Sequence, residues 1–251
     1  MYTLENTMKI NVINPNTSTS MTNCITIAAE QAASSEIELR CCNPNEGAPS
    51  IEGFLDDLIA ATGVVEQVIL GESESCKAHI IACFGDPGID AAREVAKYPV
   101  IGIAEAAMHT ATMLGHRFSV VTSLCRTVAI TEHLLIKYGM QHQCAGVKAV
   151  DIAVLDLHDP KSNAYQQILN ECQKTVYDDK VDSIILGCAG MADLQKRLTS
   201  TLGIPVIDGV ACAVGIAEMM IRTGLSTGKS NCYAPPLKKS YSGWANRLTQ
   251  G

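Results

Sequence analysis

No stretch of this chain stays apolar for the roughly 20 residues that a membrane-spanning helix needs. The nearest, Val100–Leu114, is interrupted by Glu105 and His109. The N-terminus lacks the basic, apolar and small-residue succession of a secretory signal. Excess positive charge is missing as well. Lys and Arg number 19 against 26 Asp and Glu, for a net charge of −7, so neither a nucleic acid nor a membrane is expected as partner. No Cys-x-x-Cys pair occurs, which removes the usual support for thioredoxin-like redox chemistry and for a zinc ribbon. The six histidines form no His-x-x-x-His pair, and no metal site is expected. The GLSTG run of Gly224–Gly228 lacks the strand that a nucleophile elbow requires, and it misses the spacing of a phosphate loop.

What the chain does have is cysteine, 11 in 251 residues. An odd count without a signal segment reads as reduced and cytoplasmic rather than as a disulfide framework. Most free thiols behave as small packing groups. That reading is given to Cys24, Cys125, Cys172 and Cys212 in expected helices, and to Cys41 and Cys42 at a strand end. Cys83 and Cys188 differ from these. The first stands in HIIACFGDPGID (His79–Asp90) and the second in DSIILGCAGMAD (Asp182–Asp193). Each follows an apolar run and precedes a glycine turn. Aligning them puts Ile81 on Leu186 and Gly85 on Gly190, and further on it brings Tyr98–Ala107 onto Ile204–Ala213. Lys9–Ser18 corresponds more weakly to Arg117–Arg126. The chain reads as an internal duplication.

Short runs rich in Ile and Val, apolar on both faces, are the signature of buried parallel strands. Strands are expected at Lys9–Asn14, Glu36–Cys42, His79–Cys83, Val100–Gly102, Phe118–Thr122, Val147–Val154, Ser183–Cys188 and Val206–Asp208, with helical segments between them. Alternation of this kind implies βαβ units. Eight strands could close one barrel; the repeat favours two pseudo-symmetric, doubly wound α/β lobes, each with a four-stranded parallel sheet flanked by helices. The expected first lobe is residues 8–103 plus 212–251, and the second is residues 104–211. Residues 1–7 read as a short extension. The C-terminal stretch Ser226–Gly251 is expected to pack on the first lobe, with Lys238–Trp244 either part of that packed tail or closing over the cleft. The paired Asp residues of the FLDDL and YDDK runs read as solvated helix faces.

In open parallel sheets, ligands bind beyond the carboxyl ends of the strands. Asn14, Asn16, Thr122 and the two cysteine turns fall at such ends, which puts the active site in the cleft between the lobes. Two thiols facing one carbon from opposite sides can invert it, one taking a proton as thiolate while the other gives one as thiol. Helix N-termini shortly after each cysteine are expected to lower the thiol pKa. With each sulfur about 3–3.5 Å from the carbon, the two sulfurs should stand roughly 6–7 Å apart. An already acidic substrate carbon needs no cofactor. The amides near Gly85 and Gly190 are expected to hold a developing oxyanion, and Asn14, Asn16 and Thr122 to orient the substrate. Asn16 reads equally as the N-cap of the following helix.

At these residues the chain resembles the aspartate/glutamate/hydantoin racemase superfamily, and within it the hydantoin and allantoin racemase branch. Ile13–Ser18, Ala82–Gly88, Pro99–His109, Gly187–Leu194 and Pro205–Val214 are similar to that branch's signature segments, and the likeness runs from Met8 to about Gly243. Amino-acid racemases of the superfamily carry Cys-Asn-Thr and Cys-Thr-His/Glu, where this chain has Cys83-Phe84-Gly85 and Cys188-Ala189-Gly190. That departure points away from a free amino acid and toward a neutral ring. The resemblance implies a cofactor-independent racemase of 5-substituted hydantoins, with Cys83 and Cys188 as the acid/base pair. It implies substrate contacts at Asn14, Thr122 and the turn residues Phe84, Gly85, Ala189 and Gly190, and a homo-oligomer. Arg126 reads either as a further contact or as a solvent-facing first-turn residue. The alternative function is a decarboxylase or cis–trans isomerase of small dicarboxylates on the same fold.

Overall fold

Two sheets of four parallel strands carry the chain, and each half of the sequence builds one of them. In the computed structural model, which describes residues 8–158 and 163–249, the first half runs β1 (Met8–Ile13), α1 (Thr19–Ala32), β2 (Ile37–Cys42), α2 (Phe54–Ser73), β3 (Ala78–Ile81), α3 (Ile89–Val95) and β4 (Val100–Gly102). The second half runs α4 (Ile103–Leu114), β5 (Phe118–Thr122), α5 (Val128–Lys137), β6 (Cys144–Ala149), α6 (Ala164–Asp179), β7 (Ser183–Leu186), α7 (Gln195–Leu202), β8 (Val206–Ile207) and α8 (Gly209–Arg222). The sheet orders are β2-β1-β3-β4 and β6-β5-β7-β8. They are the same order twice, as the internal repeat predicts. The extension expected over residues 1–7 lies outside the described residues. Among the described residues, no helix is long and apolar enough to cross a membrane.

Every residue of β3, β4, β5 and β7 is buried, as expected of strands covered on both faces. The helices that cross between the halves provide much of that cover. Helix α4 follows β4 directly but packs on β7 and β8, whereas α8 packs on β3 and β4, and the two helices pack on each other. Ala104, Ala107 and Ala111 of α4, with Ala213 and Ala217 of α8, are small enough for this close approach. The result is one apolar cluster spanning both sheets, from Ile10 and Ile80 through the two helices to Val120 and Ile185.

Polar groups inside the first sheet are matched. Asn11 donates to the Gln67 carbonyl at 3.0 Å and lies 3.1 Å from His79 Nδ1. His79 Nε2 is 3.2 Å from Glu72. His79 is therefore a packed structural residue. The tail from Thr227 onward runs along the first lobe. Thr227 bonds the Tyr98 carbonyl, Lys229 the carbonyls of Arg93 and Glu94, and Arg247 the carboxylate of Glu46.

Two glycines of α8 test the packing. A Cβ at Gly209 would stand 2.5 Å from the Ile103 carbonyl oxygen, which is backbone at the start of α4. A Cβ at the exposed Gly215 would meet nothing within 4 Å. Gly209→Ala is expected to lose about 1–3 kcal/mol through overpacking, more than the helix propensity that alanine gains. Gly215→Ala should gain roughly 0.5–1 kcal/mol. Denaturant melts of the two variants should shift in opposite directions.

Candidate active site

In each sheet the chain reverses direction of travel beside the central strand, β1 or β5, and ligand crevices open at such switch points. The carboxyl ends of β1 and β3 face those of β5 and β7 across one cavity. Its lining includes Asn14, Asn16, Cys83, Thr122, Ser123 and Cys188, so both halves contribute to a single site. Counted together with its open mouth, the cavity holds about 610 Å³ of space.

Asn14 ends β1 and spends its side chain on the local turn. Its Nδ2 donates to Asn16 Oδ1 at 2.9 Å, to the Ser18 carbonyl at 3.1 Å and to Thr22 at 3.0 Å. Its Oδ1 accepts from the Asn16 amide at 3.3 Å. Asn14 thus shapes the loop rather than offering a free group. Asn16 Oδ1 accepts from the Ser18 amide at 2.8 Å, while Asn16 Nδ2 makes no hydrogen bond to the described residues and remains for a ligand. The N-cap of α1 is Ser18, whose hydroxyl accepts from the Met21 amide, so the capping alternative for Asn16 does not hold. Thr122 is similarly committed, with its hydroxyl 3.0 Å from the Gly187 carbonyl oxygen and 3.2 Å from Thr127.

Cys83 follows β3 and Cys188 follows β7. Both are free thiols, partly accessible through the cleft. The Gly85 amide beside Cys83 favours its thiolate. The Gly190 amide and the Ser123 hydroxyl do the same for Cys188. The turn amides expected at a substrate oxygen therefore act, at Gly85 and Gly190, on the neighbouring sulfur as well. Those of Phe84 and Ala189, both in the cavity wall, take part in no turn hydrogen bond.

The expected lowering of the thiol pKa is not what the site produces. Burial pushes the Cys83 thiol up, opposed by the Gly85 amide and reinforced by Cys188, Asp57 and Asp86. Burial likewise pushes Cys188 up to about 11, with Gly190 and Ser123 opposing and Glu52 adding to the rise. The physical reason is burial: α3 starts only at Ile89, and Cys188 caps no α-helix but a 3-10 turn, Ala189–Leu194. A helix dipole acts mainly within its first turn, and desolvation of the thiolate outweighs it.

Asp86 completes the first cysteine turn in the left-handed conformation, φ 45°. Its carboxylate accepts from the Ala104 and Glu105 amides, at 3.1 and 3.0 Å, and from the Tyr138 hydroxyl at 2.8 Å. It caps α4 and ties that helix to the cysteine loop, and burial raises its pKa to about 7. Asp208 caps α8 in the equivalent place, accepting from Val210 and Ala211.

Arg126 is not part of the cavity lining. Its guanidinium covers Gly53, with Nη2 2.9 Å from where a Cβ would stand. Nearby, Glu52 accepts from the Val154 amide at 3.3 Å. Arg126 therefore joins the lobes beside the mouth. Cys125, read as a packing residue, is exposed and bonds Asp151 at 3.0 Å.

Sequence reasoning placed Ser123 at a strand end but gave it no role, and it missed Asp57. Asp57 belongs to the FLDDL run taken as a solvated face, yet it lines the cavity. The signal was spacing: Asp57 precedes the buried Ala60, Val64, Val68 and Gly71 by helical steps, whereas Leu55 and Leu58 point outward, 70% and 68% exposed. Among the described residues, Asp57 is, apart from the cysteines, the one ionisable residue in the lining; Lys, Arg and His are absent from it. Among the described residues no three His, Cys, Asp or Glu gather as a metal site.

The family profile described as Asp/Glu/Hydantoin racemase matches residues 10–217. A hydantoin racemase of Pseudomonas sp. (strain NS671) is 42% identical over 94% of this chain and 95% of its own length. Among solved structures, an allantoin racemase from Klebsiella pneumoniae superposes with a TM-score of 0.95 at 48% identity, covering 96% of this chain and 99% of that one. The allantoin racemase of Pseudomonas fluorescens gives 0.90 at 39%, covering 94% and 100%.

Proposed function

Since the chain belongs to the Asp/Glu/hydantoin racemase family and is a racemase, we propose that it inverts the fifth carbon of a 5-substituted hydantoin by passing a proton between Cys83 and Cys188, without a cofactor. The observation that carries this reading is the pair of free thiols at equivalent strand ends, lining one cavity. A hydantoin C–H flanked by a carbonyl and a nitrogen is acidic enough to yield to a thiolate. One sulfur removes that proton, and the electron pair moves onto the ring carbonyl oxygen. The other thiol then delivers its proton to the opposite face. The product leaves with inverted configuration and the sulfurs have exchanged protonation states, ready for the opposite hand.

The amides of Gly85 and Gly190, with Ser123, favour the thiolate that burial opposes. The Cys188 charge also raises the Cys83 pKa, so the pair holds one thiolate at a time and titrates as a unit. Phe84 and Ala189 amides and Asn16 Nδ2 are the groups left to hold the carbonyl oxygen. The relatives' names set allantoin beside hydantoins as substrates.

A decarboxylase or cis–trans isomerase of dicarboxylates fits less well, because the wall offers no cation and does offer Asp57. Circular dichroism of resolved allantoin and of resolved alkyl and aryl hydantoins, under reducing conditions with an enzyme-free control, tests the reading. Loss of optical activity at unchanged composition is expected for at least one of them. Release of CO₂ from a disubstituted malonate, with every hydantoin untouched, would overturn it.

A further inference from the structure

The side chain the mechanism leaves unused is Asp57. Neither of its carboxylate oxygens accepts a hydrogen bond from the described residues, and Oδ1 is fully shielded from solvent. Oδ1 stands 2.9 Å from where a Cβ would be at Gly85, and that same point is 3.9 Å from the Cys83 sulfur. The carboxylate therefore lies against the bare Cα of the cysteine turn, on the side of the Cys83 sulfur. Burial raises its pKa, with Lys137 opposing, but Lys137 itself pairs with Asp90 at 2.7 Å. Among the described residues, no cation pairs with Asp57.

Its position also has a direction. Asp57, Gly85 and Ile130 border both the catalytic cavity and a second surface cavity lined by Phe54, His133 and Lys137. A group leaving the reacting carbon toward that opening passes Asp57. The rest of the wall at this end is apolar or neutral, with Ile51, Ile130 and Thr131.

We propose that Asp57 is a specificity-determining residue that accepts a hydrogen bond from an N–H of the substituent on the fifth carbon, selecting a neutral ureido group over an alkyl one. The proposal rests on the racemase reading above and deepens it. A buried acceptor left unpaired by an alkyl substituent penalises that substrate, which is how a polar site rejects an analogue lacking the donor.

The test compares kcat/KM for resolved allantoin and resolved 5-isobutylhydantoin in the wild type, Asp57→Asn and Asp57→Leu, with thermal melts confirming folding. The wild type should prefer allantoin by at least about tenfold. Asp57→Leu should lower the allantoin value by about 10- to 100-fold and raise the alkyl one, so the preference disappears. Asp57→Asn, which keeps an acceptor oxygen, should fall between. Equal losses on both substrates in Asp57→Leu, or an unchanged preference, would overturn the proposal while leaving the racemase reading intact. A wild type inert toward both hydantoins would overturn that reading, and this proposal with it.

Discussion

Serine in place of Cys83, or of Cys188, is expected to cut racemisation of a resolved hydantoin by about 10²–10⁴-fold, the range for losing one general acid or base. The swap removes almost no volume and leaves the Gly85, Gly190 and Ser123 donors in place, so stability should change little. What it removes is an ionisable group whose anion the cavity can support, since a serine hydroxyl does not deprotonate in this range. The two losses should be similar in size, because in the proposed mechanism each enantiomer needs one sulfur as base and the other as acid. Other cysteines lack this placement. Cys172 is buried between α6 and the second sheet's core, and Cys125 is exposed and bonded to Asp151. Cys125→Ser, measured in the same assay, should stay close to wild type.

The pH profile is the second large effect. Burial holds Cys188 at about 11 and pushes Cys83 up as well, so near neutrality the free enzyme is mostly the dithiol. In the proposed mechanism the reactive form carries one thiolate. Raising the pH creates that form, and kcat/KM should climb by about tenfold per unit from pH 6 to 9 without a plateau. Ser123→Ala removes a donor that lowers the Cys188 pKa, so its rising limb should move to higher pH. A wild-type profile already flat at pH 7 would mean that the thiolate is preformed and that burial is not the dominant influence. Measurement with a 5-alkylhydantoin, corrected for the enzyme-free rate, separates the enzyme's limb from the base-catalysed background.

Much of this architecture was legible in the sequence because buried parallel strands leave a strong mark. Ile-Val runs placed β3, β5 and β7, and the twice-repeated Pro-Val-Ile placed β4 and β8. The same repeat singled out Cys83 and Cys188 among 11 thiols. Strand β6 was less legible. The apolar run Val147–Val154 suggested its position, yet the strand is Cys144–Ala149. Asp151 explains the early end: it adopts φ 54° and turns its carboxylate to the Cys125 amide. Asp57 was hidden for a different reason. Hydrophobic patterning assumes that leucines face inward, and at the start of α2 they face outward. The thiol pKa values were misjudged because sequence gives the nearness of a helix along the chain, not the depth of a sulfur in a wall.

The central claim is that each sulfur serves one face of one carbon. Solvent exchange in D₂O, followed by proton NMR on each resolved enantiomer, tests it most directly. In Cys83→Ser, exchange at the fifth carbon should persist for the hand whose proton faces Cys188 and be lost for the other. In Cys188→Ser the hands should reverse. Equal exchange of both enantiomers by either variant, or wild-type racemisation without either thiol, would contradict the account.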